Sequence, residues 1–422
     1  MLLVDKFRSR RKVRRATYFA IAALLGLPSL AVADEVFVLT QTVSLPGLAS
    51  FDIGFVDPSI HTYFLADRSQ KAVAVIDTKT KALSFIGTGD FTGVVTKCVA
   101  PNACNGPDGL LTVHSDADHG DRFQIAVGER DHEHDGEDHV QVWVGDGDST
   151  VKIFAFPSGT LLQTISTGGT LRADEGCWDQ RDHLVLFAND ADSPPFISFI
   201  STDTYQIVKK IKFDGLSGDG PNATNGIEQC QWNDREGRFY LNLPEVNGPG
   251  NDTKDGNVVV IDPHNFRIVQ TFDIPVADCA GPQGMAIGPA PQIALGCNAK
   301  TIPGGVRNSV LINEENGNII TVLANEGGSD EIWFNPRDGH YFFANSTPGS
   351  SAPLSDQFLG VVDSRHGEED QTVVTQTSST VGAHSVAADP DKNQVYVPVA
   401  NGINIYSPNE RGEQPVFVRR DD

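Results

Sequence analysis

Residues 51–83, FDIGFVDPSIHTYFLADRSQKAVAVIDTKTKAL, carry the pattern on which the rest of the chain is built. A short apolar strand, FDIGF, leads to a turn at Asp57-Pro58, and the aromatic and apolar residues of HTYFLAD mark a second strand. A polar turn from Arg68 to Lys71 precedes the alternating run AVAVID, and Thr78-Lys79-Thr80 turns into a fourth strand near ALSFIG. Short β-rich runs separated by tight polar turns read as antiparallel strands. The stretch therefore predicts one four-stranded antiparallel sheet.

The same unit returns along the chain. Its first turn recurs as Asn335-Pro336 in SDEIWFNP, as Asp389-Pro390 in AHSVAADP, and more loosely as Asn233-Asp234 and Gly288-Pro289. The third-strand ending VID recurs in VVVIDPHNFRIVQTF and, degraded, in VLINEENGNIITVL and LGVVDSRHG. Self-similarity of this length is the signature of a repeat fold. Seven openings are present, at Asp52, Asp108, Asp174, Glu228, Gln283, Asp330 and His384, with successive gaps of 47 to 66 residues. Gaps that uneven place the insertions in loops.

These features resemble the YVTN-type β-propellers, whose blades carry a Tyr-Val-x-Asn second strand and a Val-x-Val-Ile-Asp third strand. The matching pieces are FLAD at 64–67, FAND at 187–190, GCN at 296–298, FAN at 343–345 and the VID endings. The likeness implies an all-β fold, a seven-bladed β-propeller of four-stranded antiparallel blades. It bears on architecture more than activity, because one propeller scaffold hosts many unrelated functions. A blade cannot bury both faces alone, so blades stack into a closed ring. The strand EVFVLTQTVSL at 35–45 precedes the first opening, while the last unit shows AHSVAAD, QVYVPVA, GINIYSP and a weaker QPVFVRR. The N-terminal strand is expected to join the last blade and close the ring, leaving no free sheet edge.

Residues 1–33 read as a cleaved export signal: a basic start with Arg10, Arg11, Lys12, Arg14 and Arg15, an apolar stretch at 19–27, and the small-residue site Ala31-Val32-Ala33. The apolar stretch is too short to span a bilayer, and no later run reaches the required length. Ser9-Arg10-Arg11 hints at the twin-arginine route, but Val13-Arg14 replaces the apolar pair usual after it, which favours the ordinary secretory route. The expected destination is the periplasm or the exterior. Residues 34–422 then form one domain, since no Pro- or Ser-rich linker divides the repeat.

The leader holds seven Lys/Arg and one Asp, so the remaining 389 residues carry 25 basic against 54 acidic groups, a net of −29 where the whole chain has −23. Nucleic acid and anionic membranes demand positive charge and are excluded as partners. All six cysteines follow the leader, an even number suited to an oxidising compartment. Cys98 and Cys104 share the loop CVAPNAC, Cys177 and Cys230 occupy the first strands of neighbouring units, and Cys279 and Cys297 flank the inner strands of the fifth. Pairing in that order is the first choice among the fifteen connectivities six cysteines allow. A thiolate metal site is the rival, although no C-x-x-C pair supports it, and C-x-x-C-H haem attachment is absent.

In a propeller the first strand of each blade lines the central channel, so the openings form a ring. Asp52, Asp108, Asp174, Glu228 and Asp330 bring five carboxylates to one level, with Glu175 and Glu331 next to it. Like charges at close range raise one another's pKa or demand a cation, and a divalent ion such as Ca²⁺ answers that demand. The alternative is that these acids bond to backbone amides of the adjacent blade. A second level is formed by Asp67, Asn189, Asn298 and Asn345, for which turn capping is the favoured role. The insertion at 114–139 holds five of the eleven histidines, and His132, His134 and His139 suit a soft divalent metal. It lacks H-E-x-x-H, since Gly136 stands where the second His belongs, and reads as loop decoration.

No G-x-S-x-G elbow, Walker loop or G-x-G-x-x-G fingerprint occurs. The N-x-T tripeptides at Asn222, Asn251 and Asn345 matter only in a glycosylating host. Three functions remain. The first is a binding or interaction module, a monomer that holds a divalent cation, calcium in the first instance, or a small ligand in its channel, and meets a small molecule or protein partner at the channel mouth. The second is a hydrolase resembling the propeller lactonases and gluconolactonase-like enzymes, in which a metal polarises the lactone carbonyl and a carboxylate activates water. There the catalytic roles fall to Asp174, Glu228 and His384, and the metal to Asp52, Asp108, Asp174, Glu228 and Asp330. The third is a quinone- or copper-dependent oxidoreductase, for which no cofactor motif speaks.

Overall fold

The computed structural model describes residues 36–100, 102–114, 140–298, 308–324, 326–345, 357–365, 368–376 and 385–409. These build seven four-stranded antiparallel sheets arranged as the blades of a ring. Blade 1 comprises Gly54–Asp57, Thr62–Asp67, Ala72–Asp77 and Leu83–Ile86. The innermost strands of blades 2 to 7 are Leu110–His114, Gly176–Asp179, Cys230–Asn233, Pro282–Ile287, Ser329–Asn335 and Ala387–Asp389. Each touches the innermost strand of the next blade, and that of blade 7 returns to blade 1, so the ring is closed.

The burial gradient within a blade follows from this stacking. A strand covered on both faces by neighbouring blades has no solvent side, so it reads as a continuous apolar run rather than an alternating one. Thr62–Asp67 and Leu184–Asn189 are buried at every position, whereas the outer strands Leu83–Ile86 and Ile207–Lys212 each bury a single residue fully. Buried apolar residues collect in seven clusters, one in each seam between adjacent blades. Phe64, Val75 and Phe154, for example, fill the seam between blades 1 and 2.

Closure is made by the N-terminal strand, as expected. Phe37–Ser44 pairs antiparallel with Gly402–Pro408 and is the outermost strand of blade 7, whose other three strands come from the C-terminal end. The expected strand QPVFVRR lies outside the described residues. In blade 1 the first strand runs later than its apolar letters indicate: it spans Gly54–Asp57, and the turn is a single 3₁₀ turn, Pro58–Ile60, capped by the Asp57 side chain on the Ser59 amide at 3.0 Å. Residues 51–53 still lie against the second strand, through Asp52 N to Ala66 O at 2.9 Å and Ala66 N to Ile53 O at 3.0 Å. The three disulfides form in the first-choice order, Cys98–Cys104, Cys177–Cys230 and Cys279–Cys297. Among the described residues no helix is long and apolar enough to cross a membrane.

Candidate functional site

Four of the seven openings, Asp52, Asp108, Asp174 and Glu228, take equivalent places in their blades. The backbone N–H groups of Asp52, Asp108, Asp174 and Glu228 donate to Ala66, Gly145, Ala188 and Asn242 on the second strand of their own blades, at 2.7 to 3.0 Å. This repeated bond sets each carboxylate just ahead of an innermost strand and aims it inward. Gly109 makes the convergence of the first three possible. A Cβ there would stand 1.8 Å from the Asp174 carbonyl oxygen, so only glycine lets Asp108 come so close to blade 3.

Asp52, Asp108 and Asp174 each offer an oxygen within 4.8 Å of the others, and all three are buried. Glu228 and Asp330 stand outside this trio: Glu228 Oε1 accepts from the Gln283 side chain at 3.2 Å, and its strongest charged neighbours are Asp330 and then Asp190. His384 lies outside the described residues.

Two arginines that the sequence reading did not single out enter the ring. Arg68 follows the second strand of blade 1; it donates through Nε to Asp108 Oδ1 at 2.8 Å and through Nη2 to Asp52 Oδ2 at 2.5 Å. Arg172, two residues ahead of Asp174, reaches Asp174 Oδ2 at 2.6 Å and Asp190 Oδ2 at 2.8 Å through Nη2. Asn189 supports it by donating to the Arg172 carbonyl at 3.1 Å. The signal for both was legible: converging acids need counter-charge, and Asp67-Arg68 and Arg172-Ala173-Asp174 place a guanidinium beside the ring.

Burial dominates the electrostatics. It pushes Asp108 and Asp174 well above the usual carboxylate range, with Arg68 and Arg172 pulling back only in part. Burial pulls the Arg68 guanidinium down, but Asp108 and Asp52 outweigh it and the net shift is upward. Asp108 Oδ2 and Asp174 Oδ1 are left with no hydrogen-bond partner. A buried carboxylate oxygen in that state is costly.

One residue deeper, Glu175 and Glu331 hydrogen-bond to each other, and Gln229 donates to Glu331 at 2.8 Å while accepting from the Met285 amide. Burial first, and each other's charge next for Glu175, raise both glutamates well above their ordinary values. The channel is divided here. On one side opens a cavity of about 1010 Å³ lined by Asp52, Asp174, Glu228 and Asp330; on the other lies one of about 270 Å³ walled by Phe55, Leu110, Ile332 and Trp333, and Glu175 borders both.

At the second level only Asp67 caps its turn, while the asparagines are placed differently. Asp67 accepts from the Gln70 amide at 3.0 Å, and Asn345 joins Ser329 to Glu326, while Asn298 borders the larger cavity. His132, His134 and His139 lie outside the described residues. His114, at the start of that insertion, contacts Asp57 Oδ2 at 2.7 Å and stacks on Trp178. Glu245 is a further residue the sequence did not announce: it gathers the amides of Gly250, Asn251, Thr253 and Lys254 and so shapes the loop near the cavity mouth.

Fold and channel together define an all-β ring with an acidic, arginine-bridged centre. A chain from the crystal structure of the mitotic checkpoint complex superposes with a TM-score of 0.59 at 11% identity, covering 94% of this chain and 100% of that one. This likeness speaks for the propeller architecture and does not single out the YVTN type. No protein-family model matches the chain, and no curated protein matches it.

Proposed function

We propose that the protein is an exported β-propeller that acts as a binding and interaction module, released from its leader at 1–33 and holding a divalent cation, calcium in the first instance, in its channel. The observation that carries this is the charge imbalance of one buried cluster. Asp52, Asp108, Asp174 and Asp190 face Arg68 and Arg172, leaving a formal −2, and two of the carboxylate oxygens lack any partner. One divalent ion would neutralise that remainder, and carboxylate oxygens are the donors a hard cation takes. Oxygens within 4.8 Å of one another can share an ion at the ~2.4 Å typical of Ca²⁺ contacts. The three disulfides suit an oxidising, extracytoplasmic setting.

The test is calorimetric titration of chelator-treated protein with Ca²⁺ and Mg²⁺, alongside Asp108→Asn and Asp174→Asn variants. One ion per chain, a raised melting temperature on loading, and loss of both in the variants support the reading. Wild-type protein that takes up no ion and melts unchanged overturns it.

A further inference from the structure

The larger cavity is far more acidic than its ion cluster requires. Eight carboxylates line it, against Arg68 and Arg172 as the only basic groups among the described lining residues. Asp174, 2% exposed, borders it with Oδ1 unpartnered. The chain's own arginines show how such a wall receives a cation: each guanidinium bridges two carboxylates.

The rim adds a second property. Val99 and Leu216 are 89% and 90% exposed, while the other exposed large apolar side chains stand at 40–52%. Both belong to loops that reach the cavity wall, through Ala100, Asn102 and Ala103 in one case and Asp214 in the other. Neither loop is loosely held. The Cys98–Cys104 bridge and the Asn105 contact to the Val95 amide at 2.8 Å fix the first; Asp214 Oδ1 receives the amides of Leu216 and Ser217, each at 2.8 Å, in the second. Val99 and Leu216 thus present apolar side chains to water on braced loops that border the acidic cavity.

We infer that this mouth is a docking surface for a segment of a partner protein in which a basic side chain, flanked by apolar residues, enters the cavity between the Glu228 and Asp174 walls while Val99 and Leu216 grip the flanks. The occupant follows from charge complementarity, since the acids would repel an anionic or acidic segment. The inference rests on the channel mouth being the binding face and does not require the ion.

The probe is a capped peptide with one arginine between two leucines on a serine background, titrated into the full protein both in chelator and at saturating calcium. A citrulline replacement removes charge at constant shape. The arginine peptide is expected to bind, and the citrulline peptide at least about tenfold more weakly, the scale of one charged pair. Val99→Ser with Leu216→Ser, and separately Glu228→Gln, should each weaken binding about tenfold, whereas Leu161→Ser with Leu162→Ser on an outer strand should not. Arginine-dependent binding in chelator by a protein that takes up no calcium upholds the inference while the ion reading falls. Calcium uptake without peptide binding does the reverse. Equal binding of the citrulline peptide, full affinity in the rim variant, or binding of free spermidine as tight as that of the peptide overturns it.

Discussion

Arg68 of blade 1 donates from Nε to Asp108 Oδ1 of blade 2 at 2.8 Å, across the innermost seam of the ring. A side chain from one repeat thus neutralises the opening acid of the next. Arg68 is 4% exposed, so neither partner has water to fall back on.

Removing that guanidinium takes the bridging cation away from two buried carboxyl groups, Asp52 and Asp108. Arg68→Met is expected to cost about 3 kcal/mol or more in urea unfolding, as the loss of one partner of a buried pair does. Saturating calcium should return part of that stability if the ion shares the cluster. A variant as stable as wild type would separate Arg68 from the acidic ring.

Gly109→Ala tests the close approach of blades 2 and 3. The added methyl meets the Asp174 carbonyl oxygen, which is backbone and cannot swing aside. A loss of roughly 2 kcal/mol is expected, at the level of other overpacked positions, with calcium affinity falling in parallel because Asp108 is displaced from Asp174. Unchanged stability would show that the blades can part at no cost.

Asp57 sets a pH dependence away from the channel. Burial raises its pKa, but the hydrogen bond and charge of His114 and the bonds from Ser59 and Thr112 outweigh burial and lower it to about 2. A depressed carboxylate contributes stability that is present above its unfolded value of 3.8 and lost as pH falls toward about 2. The contribution is of order 2 kcal/mol. Comparing unfolding of wild type and Asp57→Asn from pH 5 down to pH 2 should show the gap between them closing over that window. A gap that stays constant would place the effect elsewhere.

Ring closure is tested at Phe37. Its ring meets Phe342 edge-on at 5.0 Å and lies 1% exposed in the seam between blades 6 and 7. Phe37→Ala should cost about 3–5 kcal/mol by the usual measure of a buried aromatic truncation. Amide exchange should speed first in 402–408, which pairs with the strand that Phe37 anchors. Exchange that rises evenly around the ring would mean closure is not local.

The repeat was legible because each blade is encoded in one contiguous stretch, where apolar runs and polar turns alternate on the scale of a few residues. The pairing of Cys177 with Cys230 could be read in the same way, once both were assigned to first strands of neighbouring blades. The beginning of the first strand was misjudged by three residues, since FDI is as apolar as the strand itself and only the ladder distinguishes them. In the channel, the acids Asp52, Asp108 and Asp174 were legible as converging, while their arginines were passed over because Arg68 lies in a turn and Arg172 in a loop, where a basic residue is unremarkable.

The sequence by itself determined the all-β repeat, the count of seven blades, the closing role of the N-terminal strand and the acidic character of the centre, all of which follow from local periodicity multiplied around a ring. Only the tertiary structure decided which charges meet. Arg68 and Asp108 are 40 residues apart, and Gln229 and Glu331 are 102 apart. Whether a carboxylate faces a guanidinium, another carboxyl or nothing depends on side-chain reach across a channel whose width is set by the packing of all seven seams, and no local stretch of the chain contains that distance.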